Sequence, residues 1–280
     1  MSERTILITG VTGKQGGATA RALQGKEFHL RGLTRRPHSD EARALRNLGI
    51  DIVEGDLNDE ASLRRALTGA WGVYAVQNTW EAGVDGEEVQ GHRIARLAHD
   101  AHVQHFVYAS VGSAHRKTGI PHFDNKFRVE ETVRSLGFPS YTIIRPVFFM
   151  ENLVSPWFLN GDAICAAMKP TTVLQMIAVD DIGQYGALAF TDARLKNREL
   201  DIAGDAVTMP EAARVLGAAM GKPLSFVEVP LADVRKNSED LAIMLEWFGD
   251  VGYDADIEKH AAEFGVTPTS LVAWAARLKG

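Results

Sequence analysis

The chain has 280 residues, 45% hydrophobic and 24% charged, with a formal net charge of −6. That length allows a sizeable core in one large domain or a main domain with an appendage. The acidic balance, with no block of Lys or Arg, speaks against a nucleic-acid groove or an anionic membrane surface and favours small-molecule partners.

The chain opens with ILITGVTGKQGGATARAL at residues 6–23. Ile6, Leu7 and Ile8 fit a short buried parallel strand, and Ala18, Ala20, Ala22 and Leu23 favour a helix. Between them Gly10, Gly13 and Gly16 are spaced G-x-x-G-x-x-G, which permits a tight turn, close approach of a ligand and close packing of helix on sheet. Such a turn aims backbone N–H groups and the positive end of the helix dipole at an anion, here a diphosphate. The other phosphate loop, G-x-x-x-x-G-K-[ST], does not fit: Lys14 follows Gly13, but position 8 is Ile and position 15 is Gln. The N-terminus enters this strand without a charged-then-apolar leader, and no apolar run approaches membrane-spanning length. With Cys165 as the single cysteine, no internal disulfide framework exists, and a reducing, cytoplasmic setting is expected.

Gly25 is placed to close the first helix, and FHLRGLT (28–34) reads as a second strand. IDIVEGD (50–56) is a third, followed by a helix with Asn58 or Asp59 as N-cap. WGVYAV (71–76) is a fourth strand, and a helix over 87–102 begins with acidic Glu87 and Glu88. HFVYAS (105–110) is a fifth strand, a helix runs from about Asn125 to Leu136, and SYTIIRPVFF (140–149) is a sixth strand. Strands alternating with helices imply βαβ units, right-handed crossovers and an α/β fold with a Rossmann-type doubly wound parallel sheet. In such sheets ligands bind beyond the carboxyl ends of the strands. The second half is less regular. Thr208 and Glu211 make a capping box, SFVEV reads as a strand, and LAIMLEWF (241–248) and TSLVAWAARL (269–278) as amphipathic helices. The expected organisation is a nucleotide-binding domain over 1–153 and a smaller C-terminal lobe over 154–280, with about 176–203 returning to the first.

An NAD site places Asp or Glu about 20 residues after the glycines to meet the ribose 2′-OH. Here that place holds Thr34, Arg35 and Arg36. Two guanidinium groups suit a 2′-phosphate, so NADP(H) is favoured over NAD(H). Asp56, after the third strand, is placed to meet the adenine or to cap the next helix. Four histidines (92, 99, 102 and 105) suggest helix-end charges rather than a metal set. Asp180 and Asp181 read as N-capping residues, and Cys165 as inert core.

The segments GVTGKQGG (10–17), TRRP (34–37), EGD (54–56), HFDNK (122–126), MENL (150–153) and VDDIG (179–183) together resemble the NmrA-like family of atypical short-chain dehydrogenase/reductases. The family includes NADP-binding regulators and redox sensors as well as reductases of quinones and related compounds. The resemblance implies that Gly10, Thr12, Gly13, Lys14, Gln15 and Gly16 serve the diphosphate, Thr34, Arg35 and Arg36 the 2′-phosphate end, and Asp56 and Leu57 the adenine. It further implies that Lys126 meets the nicotinamide ribose, with Gln77, Asn78, Thr79, Val147, Phe148 and Phe149 bordering the nicotinamide. Where a typical member of the wider superfamily has Tyr-x-x-x-Lys, this chain reads His122-Phe-Asp-Asn-Lys126. The Lys persists and an imidazole replaces the phenol, so His122 is either the proton donor or a helix-end residue. Ser110 is a candidate for substrate or nicotinamide-amide binding, and Tyr108 is expected in the core. Phe149, Asn152, Met244, Trp247 and Phe248 are candidates for an apolar, flat substrate. The leading expectation is an NADPH-dependent reductase of a quinone or conjugated carbonyl. The alternative is a non-catalytic NADP(H) sensor that reports through a protein partner.

Overall fold

The structure, a computed structural model, describes residues 4–279. In chain order the first elements are β1 (Arg4–Ile8), α1 (Lys14–Ala22), β2 (Phe28–Thr34), α2 (Asp40–Asn47), β3 (Asp51–Glu54), α3 (Glu60–Leu67), β4 (Ala70–Ala75), α4 (Thr79–Asp100), β5 (His105–Ala109), α5 (Pro121–Ser135) and β6 (Tyr141–Pro146). There follow β7 (Phe148–Phe149), β8 (Leu159–Asn160), β9 (Ala163–Ala166), β10 (Val173–Ile177), α6 (Val179–Thr191), β11 (Arg198–Ile202), β12 (Asp205–Thr208) and α7 (Met209–Met220). The last are β13 (Ser225–Glu228), α8 (Leu231–Asn237), α9 (Glu239–Asp250), α10 (Ile257–Phe264) and α11 (Leu271–Ala276). The chain forms two compact units: one is the chain up to Val111 with 124–145 and 182–200, the other 112–123, 146–181 and the chain from 201.

The first unit holds a seven-stranded sheet in the order β11-β6-β5-β4-β1-β2-β3. The pairings of β1 with β2 and β4, β2 with β3, β4 with β5 and β5 with β6 are all parallel. This is the Rossmann-type doubly wound α/β sheet. Ile6, Leu7 and Ile8 have no exposed surface, as a strand covered by helices on both faces requires. Leu7, Leu63, Val73, Ile94 and Phe106 belong to one buried cluster. The strand order reverses direction between β1 and β4, the kind of switch beyond whose carboxyl ends doubly wound sheets bind ligands.

The second unit carries two three-stranded sheets, β12-β10-β7 and β13-β9-β8. Its aromatic centre packs Phe123 against Trp247 and Tyr253, and Phe148 against Phe158 and Phe248.

Several expectations need correction. SYTIIRPVFF is two strands: Pro146 ends β6, the Val147 N–H goes to the Ile202 carbonyl, and Phe148 pairs with Met176 of β10. The helix expected from 87 begins at Thr79, capped by Asn78. A non-helical Gly83 (φ 75°, ψ 166°) separates the added turn Thr79–Ala82 from the rest of α4, so Glu87 still lies in the first turn of the continuous helix. Cys165 is half-buried on β9, not in the core. Asp181 lies in the first turn of α6. It accepts 2.7 Å hydrogen bonds from the Thr269 N–H and hydroxyl, while Glu151 Oε1 accepts the Val179 N–H at the helix start. Among the described residues, no helix is long and apolar enough to cross a membrane, and no group of three His, Cys, Asp or Glu could hold a metal ion.

Candidate functional site

The crevice of the first unit is built on the β1–α1 turn. Thr9 clamps it: its hydroxyl donates to the Val76 carbonyl (2.9 Å) and accepts the Val76 N–H (2.8 Å), joining the ends of β1 and β4. Gly10 follows at φ +56°, where a side chain is strained, and a Cβ there would lie 2.9 Å from Val76 Cγ1. The Gly13 N–H returns to the Gly10 carbonyl at 2.9 Å. At Gly16 a Cβ would come within 2.4 Å of the same carbonyl oxygen. The outer glycines are thus required for different reasons, Gly10 by its positive φ and the Val76 side chain, and Gly16 by the close approach of backbone. Gly13 caps α1 without any side-chain hydrogen bond, and the first turn of α1 carries no acidic residue. Its leading amides and dipole are left for an anion.

Two side chains beside this turn fit a bound dinucleotide. Gln15 Oε1 is buried without a partner, as are both amide atoms of Gln77, a residue 6% exposed just after β4. Buried polar atoms of this kind are costly unless something pairs with them. Thr12 and Gly10 line the same turn. Thr34 is buried at the end of β2, where its hydroxyl accepts the Arg36 N–H at 3.2 Å and lies 3.5 Å from the Thr12 hydroxyl. Arg35 and Arg36 are exposed beyond it. Arg35 Nη2 is 2.6 Å from Glu81 Oε2. Asp56 and Leu57 are half-buried after β3. Asp56 Oδ1 accepts the Asn58 N–H, Asp59 caps α3, and the Leu57 carbonyl accepts from Arg93.

Lys126 is buried, and its Nζ stands 2.8 Å from Glu87 Oε1. Glu87 is 1% exposed and also receives the Thr79 hydroxyl and Asn125 Nδ2. Burial is the largest influence on Glu87 and pushes its pKa up, but the Lys126 ammonium and the hydrogen bonds from Thr79 and Asn125 outweigh it, holding the carboxyl below its ordinary range. Lys126 thus has an ionised partner. Tyr108, 1% exposed, lies beneath it, the ammonium 5.8 Å from the ring centre. Burial, with Glu87 and Glu130 nearby, drives the phenol well above its usual pKa. Ser110 donates its hydroxyl to Glu130 Oε1 at 2.5 Å, and Arg145 grips the same carboxylate at 2.8 and 2.6 Å. With its proton committed, Ser110 faces any other group as an acceptor.

In the second unit, His122 and Asp240 form a pair. The carboxylate accepts the His122 backbone N–H at 3.0 Å, and its other oxygen lies 2.5 Å from Nδ1. An imidazole held in this way has a fixed orientation. Val147 and Phe148 are buried, while Phe149 and Asn152 are half-buried. Met244, Trp247 and Phe248 are buried on α9, the last two within the aromatic centre.

Sequence reasoning missed Glu81, Glu87, Glu130 and Asp240. Glu87 was expected as a helix-end charge, and its neighbours Thr79 and Lys126 come from separate elements. Thr79 lies before the Gly83 break and reaches Glu87 across it, so helical spacing gave no signal of the contact.

The sequence model of the NmrA-like family matches residues 2–270. The chain spans about half (48%) the length of the first curated relatives it matches. It is 28% identical over 272 residues, 94% of this chain and 90% of the relative, to a (4-alkanoyl-5-oxo-2,5-dihydrofuran-3-yl)methyl phosphate reductase of Streptomyces griseus. Among solved structures it is similar to the NADPH-dependent quinone oxidoreductase QOR2 of Escherichia coli complexed with NADPH, with a TM-score of 0.83, 22% identity and coverage of 98% of this chain and 100% of that one. It is also similar to NmrA, a negative transcriptional regulator, in complex with NAD, with a TM-score of 0.76, 20% identity and coverage of 100% and 91%. At these identities the structural likenesses establish the fold.

Proposed function

The chain belongs to the NmrA-like family, and from that premise we propose that it is an NADPH-dependent reductase acting on a conjugated carbonyl such as a quinone or enone. The observation that carries this reading is the β1–α1 turn without a side-chain cap, Gly16 closed against backbone, with the buried, unpaired Gln15 Oε1 and the amide atoms of Gln77 beside it. The reductase names of the Streptomyces relative and of QOR2 support the reaction class.

The amides following Gly13 hold the diphosphate, Arg35 and Arg36 the 2′-phosphate, and Asp56 and Leu57 the adenine end. Lys126 donates to the nicotinamide ribose, and Glu87 orients its ammonium. When bound, NADPH supplies the hydride. His122, steadied by Asp240, gives the proton to the substrate oxygen, a role worth about 10²–10⁴-fold in rate.

The test is loss of reduced-nicotinamide absorbance with NADPH against quinones, enones and aldehydes. Turnover by the wild type that falls at least tenfold in Lys126→Ala supports a reductase. Tight NADPH binding with no turnover across the panel overturns it in favour of the sensor, a reading that the likeness to a transcriptional regulator keeps open.

A further inference from the structure

Arg35 is the residue assigned to the 2′-phosphate, yet its guanidinium already holds an anion. Glu81 Oε2 lies 2.6 Å from Arg35 Nη2, and the two side chains are each 58% exposed. Guanidinium binds carboxylate and phosphate through the same charge-assisted N–H···O contacts, so the two compete for one donor set. The backbone explains why Glu81 can reach. Thr79–Ala82 is a single turn capped by Asn78, whose side chain accepts the Trp80 N–H at 3.1 Å and whose carbonyl accepts the N–H groups of Glu81 and Ala82. Gly83, at φ 75° and ψ 166°, separates this turn from the body of α4. The sheet order β4-β1-β2 puts the segments after β4 and β2 on either side of the glycine turn, and Glu81 spans to Arg35.

We propose that Glu81 is a cofactor-specificity residue: its carboxylate occupies Arg35 in place of the 2′-phosphate and so narrows the preference for NADPH over NADH. The inference rests on the NADP(H) assignment above. NADPH must displace Glu81 from Arg35 and then sit beside its negative charge, whereas NADH, lacking the phosphate, leaves the pair intact. Because both partners are well exposed, the competition is modest. Exposed pairs are worth a few tenths of a kcal/mol to about 1 kcal/mol, which converts to about a two- to fivefold change in affinity.

The experiment is titration calorimetry of NADPH, NADH, 2′,5′-ADP and 5′-AMP with the wild-type chain, Glu81→Gln, Arg35→Ala and the double variant. Glu81→Gln is expected to tighten NADPH and 2′,5′-ADP about two- to fivefold and to leave NADH and 5′-AMP within error. The gain should vanish in the Arg35→Ala background, because the two side chains act as a coupled pair. An unchanged NADPH affinity in Glu81→Gln, an equal gain for NADH, or a gain that survives without Arg35 overturns the inference while leaving the cofactor assignment intact. Equal losses of NADPH and NADH in Arg35→Ala instead remove the phosphate assignment, and this inference with it.

Discussion

Glu87 is a carboxylate 1% exposed that stays charged because Lys126, Thr79 and Asn125 surround it. His105 is the opposite case, a buried group kept neutral. It is 2% exposed on β5, with Nδ1 2.8 Å from the Ser140 hydroxyl and its ring edge-on to Phe190. Burial pushes its pKa down to about 4 from 6.5, against weaker upward pulls from backbone groups of Ala189 and Ser140. The unfolded chain takes up this proton near pH 6.5 while the folded chain resists until about 4, so stability is retained above pH 6.5 and lost as pH falls through that window. Between pH 7.5 and 5 the loss should be about 2 kcal/mol. Urea unfolding across that range should show it in the wild type, and His105→Asn should flatten the pH dependence by a similar amount; parallel curves would place the acid sensitivity elsewhere. Single residues were legible in the sequence where the partner is local. The glycines of the β1–α1 turn meet each other's backbone within one short motif, whereas Asp240 reaches His122 across 118 residues, a distance at which pattern carries no signal.

At the scale of elements, periodicity located β2 at Phe28–Thr34 and the Thr208 cap of α7 as expected. It failed where short strands carry too few residues to alternate, as in β7 and β8 with two residues each. It also missed the early start of α4, because Gly83 interrupts the helical pattern. The β1–α1 turn was legible because its constraint is steric and spaced by the chain itself. Gly16→Ala would drive a methyl to 2.4 Å from the Gly10 carbonyl oxygen and 2.6 Å from that of Thr9. Backbone cannot rotate aside, so the substitution should cost about 1–3 kcal/mol, as overpacking does. Gly249→Ala makes the contrast: it lies inside α9 with nothing within 4 Å of the new methyl. There the higher helix propensity of Ala should stabilise by up to about 1 kcal/mol. Denaturant midpoints that move in opposite directions for the two variants are the expected result, and a Gly16→Ala chain as stable as the wild type would mean that the turn has slack.

For the molecule as a whole, the βαβ rhythm was enough to reach the doubly wound sheet, because alternation of strand and helix leaves few topologies. The strand order reverses between β1 and β4, and doubly wound sheets take their ligands at such a reversal. A ligand that binds only the folded chain stabilises it by RT ln(1 + [L]/Kd), whatever chemistry follows. At a concentration 100 times its Kd, NADPH should contribute about 2.7 kcal/mol. With about 2–4 °C of Tm per kcal/mol in chains near this size, the nucleotide-holding unit should melt about 5–10 °C higher. NADH at the same concentration should raise Tm less, since it offers Arg35 and Arg36 no phosphate, and Arg35→Ala should bring the two shifts together. The readout needs no substrate, so it separates cofactor binding from turnover. A melting curve unmoved by either nucleotide at millimolar concentration would show that the glycine turn holds something else, and an NADH shift as large as that of NADPH would show that the two arginines serve the solvent rather than a phosphate.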